Sequence, residues 1–239
     1  GFDWDGEKMA ILAKKSDNQW VEINNGIMDQ MIIANGEKGK AMLLDCRTLQ
    51  TENHTLPADT VIIVMNTMAK HTLVNSGYND RFCESMEGAK AFGKKSLRDV
   101  SMEAFQTKQA ELDDVIRRRV RHVLSENIRT LEAAKYMEEN NPEQLGILMN
   151  ESHASLRDNY EVSCEELDIM ASEAQKQEGC FGARMTGGGF GGSAVALVTS
   201  ELADDFIQNM TRIYEKRTGI KPKIFASGAE QGTSVEYRK

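Results

Sequence analysis

Between Gly182 and Val198 the chain reads GARMTGGGFGGSAVALV, with five glycines (Gly187, Gly188, Gly189, Gly191 and Gly192) in the six positions 187–192. Glycine at that density is unfavourable in chain entropy, so the backbone there must take φ > 0 or pass close to something that a Cβ would block. A phosphate loop of the Walker type would end in Lys-Ser/Thr and open a helix. This run has no lysine and leads into Ser193-Ala-Val-Ala-Leu-Val, a small apolar strand-like segment. The expectation is a glycine hairpin between strands at 180–186 and 193–199. Spacing alone leaves open whether it is a plain hairpin tip or a loop with a backbone task.

The rest of the chain places this hairpin in an α+β frame. Residues 4–19 read as a helix with Asp5 at its N-cap and Glu7 in its first turn, and 27–34 as a short apolar helix closed by Asn35-Gly36. The turn Asn24-Asn25-Gly26 is placed to cap that second helix. Strands are expected at 41–45 and 60–66, the latter (Val61-Ile-Ile-Val64) apolar on both faces and therefore central. Helices follow at 80–92 and 102–139, then one opening at Asn141-Pro142 with proline at its first position. Ser163-Cys-Glu-Glu166 reads as a capping box for a helix to about Gln177, and 200–218 as a last helix stopped by Gly219. Strands at 221–226 and 233–237 finish the chain. Without its helical insertion, the part after Ala58 has the order of a ferredoxin-like split βαβ layer. Leu56-Pro57-Ala58 is the expected boundary, giving segments 1–57 and 58–239.

Composition excludes several classes of function. With 40% hydrophobic and 28% charged residues over 239 positions the chain is globular, and a net charge of −8 argues against a nucleic-acid partner. The basic cluster Arg117-Arg-Arg-Val-Arg121 follows Glu111, Asp113 and Asp114, and reads as a solvated, salt-bridged helix face. Cys46, Cys83, Cys164 and Cys180 form no CxxC pair, which fits small core thiols in a reducing cytosol. No apolar run approaches the roughly 18 residues of a membrane span, so no membrane partner and a cytoplasmic location are expected. His54, His71, His122 and His153 have no metal-ligand spacing. The chain starts Gly-Phe-Asp-Trp without methionine and enters a helix with no earlier strands for it to cover. A fragment is the expectation.

Four stretches carry a resemblance that covers nearly the whole chain. GARMTGGGFGG resembles the third signature motif of the GHMP small-molecule kinases in its galactokinase form. NNGIMDQ (24–30) and NTMAKHTLVNSGYNDRF (66–82) fit the same family, as does SHASLRDNYEVSCEELD (152–168). The resemblance implies a GHMP kinase fold, with 1–57 as the end of an N-terminal domain and 58–239 as the C-terminal domain. It also implies ATP-dependent phosphorylation of α-D-galactose at the anomeric hydroxyl, with galactose and MgATP as partners and Mg²⁺ as the metal.

Asp29 lies near the start of a short helix, where the dipole favours a carboxylate and where a plain capping role would equally place one. The resemblance makes it the catalytic base, since GIMDQ is matched letter for letter, and it places Gly26 at the sugar. Asp17, twelve positions earlier, reads on spacing alone as a solvated acid at a helix end. The family, which typically has Glu-Asn there, makes it the metal-linked position with a shorter arm. Tyr78, just ahead of Asn79-Asp-Arg81, is implied to contact galactose, whereas Arg81 is expected to pair with acids of its own helix. Gly187, Gly188 and Gly189 are implied to bring backbone to the phosphate region, with Arg184 and Thr186 as lesser contributors. The family's N-terminal sugar signature and its glycine/serine-rich phosphate loop are absent from these 239 residues. The implied partner is therefore the missing N-terminal portion of the same polypeptide, and the chain alone is expected to be nearly inactive. Two other readings keep the fold: a non-catalytic galactose/ATP-sensing regulator, and an N-acetylgalactosamine or other sugar 1-kinase.

Overall fold

The computed structural model describes residues 4–21, 26–69 and 74–234. The capping turn expected at Asn24 and Asn25 and most of the strand expected at 233–237 lie outside them, and Thr233 and Ser234 are not in a strand. The chain divides into two compact units, Gly1–Pro57 with Gly228–Lys239, and Ala58–Ser227.

In the first unit, helix α1 (Gly6–Ser16) starts on Asp5, whose carboxylate accepts the Lys8 backbone N–H at 3.0 Å. It runs into a π-helical turn at Asp17–Val21. Helix α2 (Met28–Asn35) starts after Ile27 and has no side-chain cap bond. The two helices meet through Ala10, Ile27, Met31 and Ala34. Strands β1 (Lys40–Leu44) and β2 (Thr51–Thr55) form an antiparallel pair, Lys40 opposite Thr55. β2 reads TENHT and has no apolar alternation, so pattern reading missed it. The last segment belongs to this unit: Ala229 O accepts the Gly39 N–H and Ile33 O accepts the Thr233 N–H, both at 2.8 Å.

The second unit is built on strands β3 (Thr60–Asn66), β4 (Cys180–Thr186), β5 (Ser193–Thr199) and β6 (Lys223–Ser227). They form an antiparallel sheet in the order β4-β5-β3-β6. β3 is central, as its two apolar faces require: Ile63 lies opposite both Ala196 and Ala226. Helices α7 (Glu165–Ala174) and α8 (Ala203–Thr218) cover one face, burying Leu167, Met170, Phe206 and Met210 against Ile63, Met65 and Met185. Gly219, at φ 72°, ends α8 as expected. This is the split βαβ order. Ser163, however, does not cap α7. The N-cap is Cys164, and the Ser163 hydroxyl donates to Asp168 Oδ1 at 2.6 Å.

The insertion between β3 and β4 is helical: α3 (Val74–Ala91), α4 (Met102–Lys108), α5 (Asp114–Glu138) and α6 (Pro142–Ser155). The single helix expected over 102–139 is broken. Leu112 and Asp113 are extended, and Asp113 accepts the Val115 N–H at 2.9 Å, starting a new helix where an uninterrupted apolar stripe suggested none. α6 begins as expected, with Asn141 accepting the Gln144 N–H at 3.0 Å. It lies along the edge strand β4 and completes it, since Asn150 Oδ1 accepts the Ala183 N–H at 2.9 Å and His153 Nδ1 that of Met185 at 3.3 Å. Among the described residues no helix is long and apolar enough to cross a membrane.

That contact depends on two glycines. A Cβ on Gly146 would stand 2.1 Å from the Phe181 carbonyl oxygen, and one on Gly182 would stand 2.1 Å from that of Gly146. Gly146→Ala should therefore lower the unfolding free energy by about 1–3 kcal/mol or more. Gly188→Ala, whose Cβ would meet nothing closer than Tyr78 at 4.0 Å, should change it little. Urea midpoints of the two variants, equal within error, would contradict the packing argument.

Candidate functional site

The glycine hairpin takes the conformation that its composition demands. Gly187 (φ 77°), Gly189 (81°), Gly191 (120°) and Gly192 (80°) are all left-handed, and so is Phe190 (57°). The loop is tied at two points. Val162 O accepts the Phe190 N–H at 2.7 Å, and Gly192 O accepts from both the Thr67 N–H (2.9 Å) and the Thr67 hydroxyl (2.8 Å). Gly189 has no alternative residue: a Cβ there would lie 2.1 Å from the Val162 oxygen. Gly187 and Gly188 are exposed, and nothing lies within 4 Å of a Cβ at Gly187. The backbone is open to a ligand at that bend.

The structure brings this loop to Tyr78. The phenol lies on α3 at one side of a groove of about 210 Å³ that Gly187, Gly188 and Phe190 border from the other, with Tyr160 and Arg81 also lining it. The Phe190 ring sits where a side chain on Gly77 would be, 2.4 Å from that ideal Cβ, so an aromatic in the loop and a glycine before Tyr78 require each other. Arg81 pairs with Glu84 at 2.7 Å as expected, and its other Nη also reaches Glu161 O at 3.2 Å. Arg184 donates from Nε to Met185 O at 3.0 Å. Its burial, and then Arg129, push its guanidinium below the usual range.

Behind the groove lies a charge network that the sequence reading did not foresee. Arg117 and Arg118 pair with Asp114 on the helix surface, in line with the expected solvated face. Arg119 departs from it, being 2% exposed. Its Nε reaches Glu84 Oε2 (2.6 Å), Nη1 reaches Asn159 O (2.6 Å) and Nη2 reaches Glu161 Oε2 (2.5 Å). Arg118 also binds Glu161. Burial acts most strongly on Glu161 and would raise its pKa, but the bonds from Arg118 and Arg119 prevail and hold the carboxyl below the ordinary value. His122 stacks on Tyr160 with centroids 4.3 Å apart and contacts Ser155 Oγ at 2.9 Å, as a buried core histidine. Tyr160 and Phe190 sit inside motifs quoted above, and their place there was the signal available; Arg119 lies outside those motifs, in the basic cluster.

The two acidic candidates and Gly26 lie in the first unit. Asp29 is exposed at the second position of α2, and Gly26 is exposed just before that helix. Asp17 Oδ2 accepts the Gln30 Nε2–H at 2.7 Å, so the neighbour of Asp29 holds the Asp17 carboxylate. Among the described residues no group of three or more His, Cys, Asp or Glu could hold a metal. Mg²⁺ needs only one or two protein carboxylates, completing its shell with water and phosphate, so the donor set at Asp17 fits that ion.

Comparison with known proteins follows the same lines. Residues 133–216 match the family described as GHMP kinases C terminal. Galactokinase from Lactococcus lactis, solved in complex with galactose, matches 98% of this chain with a TM-score of 0.92 and 37% sequence identity. Mevalonate kinase from L. major, solved with R-mevalonate, matches 96% of the chain at TM-score 0.61 and 18% identity. Homoserine kinase from Cytophaga hutchinsonii matches 95% at TM-score 0.56 and 14% identity. These last two share the fold. The chain spans 62%, 60% and 59% of those three proteins respectively.

The histidine behind the groove gives a pH dependence. Burial, then Arg129, Arg184 and Arg119, push His122 from 6.5 down to about 3. A depressed folded pKa means that the unfolded chain binds the proton first, so stability is full above pH 6.5 and falls as pH drops toward about 3. By pH 5 the loss from this residue should reach about 2 kcal/mol. His122→Phe, which keeps a ring beside Tyr160, should flatten that limb in melts between pH 7 and about 5. An unchanged slope would remove His122 as its source.

Proposed function

We propose, on the premise that this chain carries the C-terminal domain of the GHMP kinases within that family's fold, that it forms the larger part of a sugar 1-kinase. That enzyme transfers the γ-phosphoryl of MgATP to the anomeric hydroxyl of α-D-galactose, giving galactose 1-phosphate, and works in the cytoplasm. The reading is carried by Tyr78 and the glycine loop bordering one groove in a chain 37% identical to a galactokinase solved with galactose.

Phosphoryl transfer demands mainly positioning and charge neutralisation, with a base for the attacking hydroxyl. In this reading Asp29, exposed near the start of α2, accepts the proton of the anomeric hydroxyl as its oxygen attacks. Gly26, without a side chain at the mouth of that helix, lets the sugar approach the backbone. Tyr78 hydrogen-bonds a sugar hydroxyl and orients the ring. Gly187, Gly188 and Gly189 present bare backbone to the phosphate region, and Asp17, steadied by Gln30, would hold Mg²⁺. The nucleotide supplies the electrophilic phosphoryl group, and a metal held at Asp17 would, when bound, supply positive charge against the phosphate oxygens.

In this reading the complete kinase has a further N-terminal portion, which is supported by this chain spanning 62% of that galactokinase. Met9, Ile11 and Leu12 on α1 and Met28 and Ile33 on α2 are exposed apolar side chains, a surface for that portion to cover.

Two measurements test the reading. The 239-residue chain alone should show almost no galactose-dependent ADP release, and normal turnover from it would overturn the fragment proposal. In the complete kinase, Asp29→Asn should cut kcat by about 10²- to 10⁴-fold while galactose affinity changes little, as expected for loss of a general base. Surviving turnover would mean that another group takes the proton.

A further inference from the structure

We propose that Arg119 is a positioning residue that sets the glycine loop against the helix bearing Tyr78. The functional consequence rests on the reading above, but the geometry does not.

The side chains form a closed ring. Arg119, on α5, reaches Glu84 on α3 and Glu161 in the turn after α6, while Arg81, one turn before Glu84 on α3, binds Glu84 and the Glu161 carbonyl. A third Arg119 contact, to Asn159 O at 2.6 Å, fastens the same turn. A guanidinium at 2% exposure is retained only where its donors are met, and the planar fork here meets three acceptors on two separate chain segments. Lysine could not reproduce that, because its ammonium is a point charge without the fork.

From the ring the constraint passes directly to the loop. Glu161 is left-handed, at φ 56°, an uncommon state for glutamate that is held here from its carbonyl and from both carboxylate oxygens. The next residue, Val162, accepts the Phe190 N–H at 2.7 Å, and its carbonyl oxygen abuts Gly189. The Phe190 ring then returns to α3 at Gly77, beside Tyr78. The loop and the helix thus touch directly at one point and are braced through Arg119 at a second, so their separation is set twice. By contrast, the strand just before the loop is held by Asn150 and His153 of α6, which the ring does not contain.

That contrast gives the test. In Arg119→Lys, amide hydrogen exchange read by NMR should accelerate about tenfold or more at Phe190, while Ala183 and Met185 stay within about twofold. Equal acceleration at all three would make Arg119 a general pillar of the fold, and no change at Phe190 would remove it from the loop; either result overturns the proposal. Glu161→Gln leaves the fold's volume intact and should give the same pattern more weakly, which covers the case in which Arg119→Lys does not fold. In the complete kinase, Arg119→Lys should lower kcat by about 10- to 100-fold with KM for galactose within about threefold, because two intact subsites are displaced relative to each other. A raised KM with unchanged kcat would assign Arg119 to sugar binding instead. Failure of the kinase assay in the unaltered protein would sink the functional reading and leave the exchange result standing.

Discussion

A helix can lie flush along an edge strand only where neither backbone carries a Cβ at the crossing. Gly146 and Gly182 meet that condition, and the approach they permit lets α6 put Asn150 and His153 onto the unpaired N–H groups of β4. Without it β4 would be an open edge, with free donors inviting another chain. With it, β4 is fixed on both sides, by β5 and by α6, up to Met185, two residues before the first glycine of the loop. The loop can therefore be rich in glycine without being slack, because its entry is anchored by a helix and its exit by the pairing of Asn66 with Ser193.

The second constraint is electrostatic. Charges are expensive to bury, and the way this fold accommodates Arg119 is to surround it with two carboxylates and a carbonyl contributed from outside its own helix. Such an arrangement ties α3, α5 and the turn after α6 together more specifically than apolar packing does, since each donor has one acceptor at one distance. The apolar cluster of Ala89, Ile116, Val120 and Leu124 sets how closely α3 and α5 approach, and the charges set their register.

What the sequence disclosed depended on how local the cause was. Both strands of the glycine hairpin, the Asn141-Pro142 start and the Gly219 stop are written in a few neighbouring residues, and all lie where pattern reading put them. β2 was hidden because TENHT carries no apolar alternation and exists as a strand only through β1. The break at Asp113 was hidden because Leu112, Val115 and Ile116 continue an apolar stripe across it while a single side chain ends the helix. Arg119 was misread for a third reason. Among four arginines in five positions it looks like surface charge, and its two acidic partners lie 35 and 42 residues away in the chain. The candidate acids Asp29 and Asp17 stand apart from these cases: they rest on the resemblance of GIMDQ and its surroundings, since on spacing alone each could be a helix-end residue.

Two of the six non-glycine residues with positive φ among the described residues stand at the groove. Glu161 and Phe190 are both left-handed residues other than glycine, and they stand on either side of the single hydrogen bond from Phe190 N–H to Val162 O. Each such residue is disfavoured by about 1–3 kcal/mol and persists only where its surroundings leave it no other state. Here the surroundings do so: Glu161 is gripped by three arginines, and Phe190 by its hydrogen bond to Val162 O and its packing against Gly77. A groove built this way gives up stability for a fixed outline, which is the exchange expected where a reaction depends on placing two reactants and little on covalent help from the protein. The relaxed alternative, a glycine in place of each, would lower the strain and also free the loop to move away from Tyr78. A glutamate and a phenylalanine held left-handed at those two positions thus fit a site whose task is positioning.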